Sequence, residues 1–262
     1  MKSFLSEDSQ GKRSHRLDLC TWPEVEAYLK TCKGIIVPIG STEQHGPTGA
    51  IGTDALTAGA IALEIAKRTN ILVSPSLPFG MAEHHLAFPG TISLQPSTLL
   101  AVIHDCVLSL AGHGFERVFF VNGHGGNIAT AKAAFAEVYK SASIRNLPVA
   151  SKLRCRLSNW FMSPSVWKIS KELYGDKEGQ HATPSEIALT LYLEPSLRNK
   201  QKSLPPPAPS GPIYGPADFR FRYPDGRMGS DPSLASAQHG KVFLETAASE
   251  LTDELLNFLK AL

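Results

Sequence analysis

Short apolar runs separated by helical segments restrict the fold of this chain more than any other feature. Runs with the composition of buried strands lie at 34–40, 70–76, 117–121 and 148–153. Strands that are apolar on both faces are typical of parallel sheets covered by helices on each side. The alternation therefore predicts an α/β fold with a mostly parallel central sheet and right-handed crossovers between its strands.

Helical spacing of apolar residues predicts the segments that pack on this sheet. They cover residues 22–29, 57–67, 97–112, 128–141, 187–193 and 243–259. A proline-rich stretch at 196–216 is predicted to be a loop. Because only 46 residues follow it, too few for a core of their own, it is not predicted to link two domains. We expect a single domain over residues 17–262, preceded by a polar, flexible leader at 1–16.

Composition narrows the class of function. The 262 residues are 42% hydrophobic and 19% charged, which is typical of a globular protein. The net charge is +2 and the basic residues are scattered, so no nucleic-acid partner is expected. No apolar run reaches the roughly 18 residues that a membrane span needs, and four widely spaced cysteines fit a reducing compartment. The sequence thus predicts a cytoplasmic protein that acts on a small molecule.

The most informative motif follows the first predicted strand. It reads Gly-Ser-Thr-Glu-Gln-His-Gly-Pro at 40–47, and a second acidic residue, Asp54, comes shortly after it. In an open parallel sheet, ligands bind beyond the carboxyl ends of the strands, where this loop would emerge. Glu43, His45 and Asp54 supply two oxygen ligands and one nitrogen ligand. This set suits Zn²⁺, Mn²⁺ or Fe²⁺ better than Mg²⁺ or Ca²⁺.

A second glycine-rich loop follows the strand predicted at 117–121. It reads Asn-Gly-His-Gly-Gly-Asn at 122–127, and a helix follows. If both strands belong to one parallel sheet, His124 and Glu43 emerge at the same edge. A solvated histidine or an anion-binding turn explains one such loop. Four potential ligands at two strand ends favour a metal site instead.

A third segment, 179–186, adds His181 and Glu186 ahead of an apolar helix. Thr183 and Glu186 have the spacing of a capping box, and Pro184 suits the first helical position. Glu186 is therefore either a helix cap or a metal ligand, and the sequence leaves both roles open.

Other polar and aromatic segments have simpler explanations. His84 and His85, and the loop at 229–233, are most simply explained as turns. The loop at 214–236 is a candidate border of the site, because long irregular loops in compact domains are often binding loops. Three of its four aromatic residues either anchor a subunit interface or cover the protein's own core. They are Phe219, Phe221 and Tyr223.

Together these motifs resemble the creatininase (creatinine amidohydrolase) family. The resemblance covers nearly the whole chain from about residue 17. Its motifs are G-S-T-E-Q-H-G-P at 40–47 with G-T-D at 52–54, F-P-G-T-I-S-L at 88–94, N-G-H-G-G-N at 122–127, His181-Ala182 before a glutamate-containing helix start, and G-S-D-P-S-L-A-S at 229–236. The first and third motifs together are specific to the family.

This resemblance implies a three-layer α/β/α sandwich, a two-metal centre and hydrolysis of a carbon–nitrogen bond, usually within a hexamer. Carried over by position, Glu43, Asp54 and His124 would hold one ion, while His45 and Asp54 would hold the other. Asp54 would then bridge the two ions. His181 corresponds to the catalytic histidine of the family.

Three positions differ from creatininase itself. Gly125 and Gly126 stand where creatininase has Tyr and Glu, and that glutamate ligates the second metal. Either Glu186 replaces it or the second site binds more weakly. Gln180 stands where creatininase has a glutamate. Members with the Gly-Gly version include deformylases of formamidopyrimidine intermediates and proteins that process peptide-derived cofactors, so an amide, a cyclic amide or a formamide can be the substrate.

The expected reaction is hydrolysis of a small amide by a metal-bound hydroxide. Two divalent ions about 3.5–4 Å apart share a water, lower its pKa to roughly 7 and polarise the amide oxygen. The leaving nitrogen needs a proton, and His181 is the candidate shuttle because imidazole titrates near neutral pH.

Two other functions remain open. A phosphoesterase uses the same two-metal chemistry, but no Lys or Arg lies next to Glu43, His45 or His124 in the sequence to stabilise phosphoryl charge. A non-catalytic small-molecule-binding protein of the same fold is the other, and the intact set of candidate ligands counts against it.

Overall fold

The computed structural model describes residues 15–260. Of the flexible leader predicted at 1–16, residues 1–14 lie outside the described residues. His15 and Arg16 reach the edge of the sheet, where the Val73 amide donates a hydrogen bond of 2.8 Å to the His15 carbonyl. None of the helices in the described part of the chain combines the length and apolar character that crossing a bilayer requires.

Four parallel strands form the sheet within residues 15–260. They are β1 (Gly34–Ile39), β2 (Leu72–Val73), β3 (Arg117–Asn122) and β4 (Arg154–Asn159), in the order β2-β1-β3-β4. The last residues of the three longer strands are in register, since Ile39 pairs with Asn122 and Asn122 pairs with Asn159. The loops that follow these strands therefore start at one edge of the sheet.

Eight α-helices surround the sheet in the described residues. They are α1 (Trp22–Leu29), α2 (Thr53–Thr69), α3 (Pro96–Gly112), α4 (Asn127–Ile144), α5 (Pro164–Tyr174), α6 (Pro184–Leu193), α7 (Pro216–Arg222) and α8 (Ala237–Lys260). Helix α2 begins earlier than predicted, at Thr53, so that Asp54 lies in its first turn. Helices α5 and α7 were not predicted from the sequence.

Alternation along the strands divides the core between the two faces of the sheet. Ile35 and Val37 pack with α3 and α4, whereas Ile36 packs with α2, α6 and α8. Successive side chains of a strand point to opposite faces, so β1 is apolar along its whole length. The observed layers confirm the predicted α/β/α sandwich with a parallel sheet.

The strand predicted at 148–153 is wrong. Residues 148–152 form a turn instead. Val149 in this turn and Leu153 just after it are buried in the core, and the strand is β4 at 154–159. Strand β4 lies at the edge of the described sheet, and Arg154 and Arg156 on it are exposed. A search for buried apolar runs passes over such a half-exposed strand.

The proline-rich region contains a short helix beyond the predicted loop. The first residues of the predicted loop lie in a 3-10 helix (Pro195–Lys200), residues 201–214 form neither helix nor strand, as expected, and α7 follows. Phe219 and Tyr223 are buried against the protein's own core, while Phe221 is 84% exposed. Phe219 and Tyr223 therefore cover the protein's own core.

Candidate metal centre

Candidate ligands from four segments meet at the carboxyl ends of β1 and β3. The loop after β1 carries Glu43 and His45, the first turn of α2 carries Asp54, and the loop after β3 carries His124. All four are buried, with at most 6% of each residue exposed. The first turn of α6 brings Glu186 to the same place. The structure thus brings together all five residues that the sequence suggested as metal ligands.

These side chains form two groups that share one carboxylate. In the first, His124 Nδ1 lies 3.2 Å from Glu43 Oε2 and 3.2 Å from Asp54 Oδ2. In the second, His45 Nε2 lies 3.0 Å from Asp54 Oδ1 and 3.7 Å from Glu186 Oε2. The ligand atoms within each group are no more than 4.8 Å apart. Asp54 can therefore give one oxygen to each of two cations.

Unsatisfied polar atoms show that these residues fit a metal. Glu43 Oε2, His45 Nε2 and Asp54 Oδ2 are buried, and none has a hydrogen-bond partner among the described residues. Buried polar atoms are nearly always hydrogen-bonded, so three unsatisfied atoms in one cluster require an explanation. A divalent cation explains all three, and the mixed oxygen and nitrogen donors suit Zn²⁺, Mn²⁺ or Fe²⁺.

Both imidazoles are anchored through the ring nitrogen that faces away from the centre. His45 Nδ1 lies 3.1 Å from the Glu43 carbonyl oxygen, and His124 Nε2 lies 2.9 Å from the Met81 carbonyl oxygen. A carbonyl at that distance accepts the ring N–H, which leaves the other nitrogen free to bind a metal. Metal-binding histidines usually have such a partner.

Charges at the centre shift the pKa values of its residues in opposite directions. Burial opposes protonation of His45 and His124, but the neighbouring carboxylates outweigh it and raise the pKa of both imidazoles well above the ordinary value. Burial would raise the pKa of Asp54, but the charge of His45 outweighs it and the pKa is lowered. Without a metal, protons on the two histidines therefore balance the carboxylates.

Glu186 uses its two oxygens for different purposes. Its Oε1 accepts a hydrogen bond of 2.5 Å from the Thr183 amide, and the Glu186 amide donates to Thr183 Oγ1 at 3.4 Å. This confirms the capping box. Its Oε2 faces His45. The two roles suggested by the sequence are thus compatible, and the ligand role stays a prediction.

The glycine at position 126 is required by its surroundings. A Cβ atom there would clash with the Met81 carbonyl oxygen and with Nε2 of His124, whereas one at Gly125 would meet open space. Position 126 therefore cannot supply a glutamate while His124 keeps this orientation, which favours Glu186 as the source of the missing ligand.

Three further residues contact the centre, and one of them, His181, was expected. His181 Nδ1 lies 3.8 Å from Glu43 Oε1. His85 was expected only in a turn, and it ends a turn of 3-10 helix (Glu83–His85). Its Nε2 lies 3.4 Å from Glu43 Oε1, and its ring is stacked on that of His181 with a centroid distance of 4.2 Å. Gln44 Nε2 lies 2.9 Å from one nitrogen of each ring. The only sequence signal for His85 was its place just before the motif at 88–94.

A cavity of about 290 Å³ opens onto the centre, and its wall includes Glu43, Asp54, His124, His181 and Glu186. Phe161, Met162 and Trp167 form an apolar part of its wall, and Glu178 lines it as well. Burial raises the pKa of Glu178 to about 7. No Lys or Arg is among the described residues that line the cavity. Trp160, by contrast, is buried in the core.

Fold and site together define a hydrolase class in which a metal centre lies at the strand ends of an α/β sandwich. The sequence model of the creatininase family, described as creatinine amidohydrolase, matches residues 18–255, and the chain belongs to this family. It is a metal-dependent amide hydrolase.

Individual relatives agree with this assignment. The creatinine amidohydrolase of Pseudomonas putida is 28% identical over 250 residues, which cover 90% of this chain and 94% of that protein. A crystal structure of creatinine amidohydrolase superimposes with a TM-score of 0.81 at 25% identity, covering 95% of this chain and 99% of that one. The mycofactocin precursor peptide peptidase of Mycolicibacterium smegmatis is 36% identical over 108 residues, which cover 39% of this chain and 43% of that protein.

Proposed function

We propose that the protein hydrolyses the carbon–nitrogen bond of a small amide, cyclic amide or formamide with two divalent ions, Zn²⁺, Mn²⁺ or Fe²⁺. Glu43, Asp54 and His124 would hold one ion, and His45, Asp54 and Glu186 the other. The observation that carries the proposal is the position of Asp54, whose two oxygens face different groups of ligands.

The chain's own residues would divide the chemistry between them. A pair of divalent ions bound here would lower the pKa of a water molecule and polarise the amide oxygen. Glu43, Asp54 and Glu186 balance most of the ions' charge. His181 takes a proton from the attacking water and gives it to the leaving nitrogen. Burial lowers the pKa of His181, which favours the neutral imidazole that can accept that proton.

The cavity favours an uncharged or cationic amide. It has no Lys or Arg in its described wall, so a phosphoryl group or a carboxylate would find no cationic side chain there to add to the charge of the ions. This supports amide hydrolysis over the phosphoesterase alternative. The apolar side formed by Phe161, Met162 and Trp167 suits an apolar part of the substrate, and the open space beside Gly125 admits a larger one.

Metal analysis and a substrate screen test this proposal. We expect the purified protein to hold or tightly rebind Zn²⁺, Mn²⁺ or Fe²⁺, and to hydrolyse at least one compound in a panel of formamides, lactams, creatinine and short peptides. A chelator should abolish that activity and added metal should restore it. A protein that binds none of these metals tightly would favour the non-catalytic binding alternative.

His181→Ala tests the role of the proposed shuttle. We expect turnover to fall by about 10²–10⁴-fold, the usual contribution of general acid–base catalysis, with metal content intact. Loss of metal in this variant would make His181 a ligand instead.

We also propose that the protein is a cytoplasmic homohexamer, with no nucleic-acid or membrane partner. All four cysteines are free, which supports a reducing compartment. The hexamer is the assembly that the resemblance to the family implies, and exposed aromatic residues such as Trp22 and Phe221 are suitable interface anchors. Size-exclusion chromatography with light scattering tests the assembly, and a clean monomer would count against it.

A further inference from the structure

Gln44 contacts two imidazoles at the centre with a single side-chain amide. Its Nε2 lies 2.9 Å from His85 Nδ1, 2.9 Å from His181 Nε2 and 3.1 Å from the Gly226 carbonyl oxygen. The residue is buried, with 6% of its surface exposed. Its two amide hydrogens therefore have three neighbours within hydrogen-bonding distance.

The orientation of this amide follows from its other end. Gln44 Oε1 accepts a hydrogen bond of 2.8 Å from the Gly46 amide, which can only donate. The oxygen therefore faces Gly46, and the NH₂ group faces the imidazoles. Gly226 packs so closely on the Gln44 amide that a Cβ atom there would clash with it. The amide is thus held in one orientation.

Counting hydrogens favours one tautomer of each ring, in which the 2.9 Å separation of Gln44 Nε2 and His181 Nε2 is an approach of two donors and not a hydrogen bond. The Gly226 carbonyl can only accept, so it takes one amide hydrogen. The Gln44 backbone carbonyl also only accepts, and it lies 2.8 Å from His181 Nε2. If Nε2 of His181 carries a hydrogen, that carbonyl is satisfied and the second amide hydrogen goes to His85 Nδ1. If it does not, the carbonyl loses this donor, and His181 competes with His85 and Gly226 for two hydrogens.

We infer that Gln44 is a positioning residue that fixes His181 with an unprotonated Nδ1 facing Glu43, and His85 with an N–H at Nε2 facing the same carboxylate. The inference rests on the proposed function and specifies it, since His181 must begin the reaction as a proton acceptor. Its Nδ1 takes a proton as the water oxygen bonds to the amide carbon. The same proton moves to the nitrogen when the carbon–nitrogen bond breaks, so the imidazole ends neutral.

Nuclear magnetic resonance of the Zn²⁺-loaded full chain, labelled with ¹⁵N-histidine, tests the tautomers directly. We expect both His85 and His181 to carry hydrogen at Nε2, with each signal assigned by its loss in His85→Asn or His181→Asn. Hydrogen at Nδ1 of His181 in the unaltered protein would overturn the inference.

Two variants separate the donor role of Gln44 from space filling. Gln44→Met removes the hydrogen bonds at similar length, and Gln44→Glu keeps the oxygen for Gly46 but replaces the donor. We expect Gln44→Glu to shift His85 toward hydrogen at Nδ1, because a carboxylate there can only accept. We expect both variants to lower turnover about 10–100-fold, as is usual for partners of metal-site residues, with less change in KM and unchanged Zn²⁺ content. Unaltered tautomers in both variants would refute the role of the side chain.

Thr91→Val is the matched control. Thr91 Oγ1 accepts a hydrogen bond of 3.2 Å from the backbone N–H of Gln44. It therefore supports the same stretch of backbone without donating to either ring. We expect the tautomers to stay unchanged, and a shift of His85 in this variant would assign the effect to the backbone and overturn the inference. Because the spectra need no substrate, they remain informative even if no amide in the panel is hydrolysed, which is the failure specific to the proposed function.

Discussion

Glu186→Gln should remove one metal ion and leave the other. Glu186 belongs only to the group that it forms with His45 and Asp54, whereas Asp54 also belongs to the group with Glu43 and His124. The amide oxygen of glutamine can still accept from the Thr183 amide, so the cap on α6 should survive while the charged ligand is lost. We expect metal content to fall from about two ions per chain to about one in this variant, and below one in Asp54→Asn.

Thermal unfolding with and without added metal measures how much the bound ions stabilise the folded state. A site filled at 100 times its Kd stabilises the folded state by about 2.7 kcal/mol. In a chain of this size each kcal/mol corresponds to roughly 2–4 °C. Glu186→Gln should therefore lose about half of the rise in Tm that metal produces in the unaltered protein. Elemental analysis after dialysis gives the ion count independently.

Thr183→Ala is the control for the capping role. It removes the hydroxyl that accepts from the Glu186 amide, which should cost about 1 kcal/mol of stability without changing metal content. Two ions retained in Glu186→Gln would refute the ligand role of Glu186. A loss of metal in Thr183→Ala equal to that in Glu186→Gln would show that the cap, and not the second oxygen, matters.

Three other perturbations test separate parts of the structure. Gly126→Ala should weaken metal binding by about 10–100-fold, because the added methyl group clashes with His124; competition with a chromophoric chelator measures this, and unchanged affinity would contradict it. Metal binding at pH 7 should release roughly one to two protons. The pKa values of His45 and His124 are raised, and both imidazoles bind metal only when unprotonated. Affinity should therefore fall as the pH falls, and calorimetry in buffers of different ionisation enthalpy would show no buffer dependence if this reasoning is wrong. Phe219→Ala should lower the free energy of unfolding by about 3–5 kcal/mol, since the ring is fully buried; a loss below about 1 kcal/mol in urea unfolding would be inconsistent with that packing.

The parts of the fold that could be predicted are those in which burial leaves a pattern in the sequence. Strands β1 and β3 were predicted to within one residue, because both are apolar along nearly their whole length. Strand β4 was misplaced because its exposed arginines interrupt the apolar pattern of a buried strand. The apolar residues just before it are buried in the core, although they do not belong to a strand.

The same distinction applies to the site. Glu43, His45 and His124 could be predicted because they directly follow strand ends, where a parallel sheet gathers its ligands. The contribution of Met81 could not, because a backbone carbonyl has no signature in the sequence. Gln44 was visible within the motif at 40–47, but its role depends on the orientation of its amide, which only the positions of Gly46 and Gly226 determine.

The Gly-Gly sequence at 125–126 connects the loop after β3 to the choice of ligands. The carbonyl that anchors His124 is itself held in place, because Asn127 Oδ1 accepts from the Met81 amide while its Nδ2 donates to the Gly40 carbonyl. These bonds draw the two loops so close together that residue 126 has no room for a side chain. A ligand for the second group must then come from another element, and the first turn of α6 is where the structure provides a carboxylate. On this argument, restoring a glutamate at position 126 would displace His124 before it supplied a ligand, so Gly126→Glu should bind less metal than the unaltered protein rather than more.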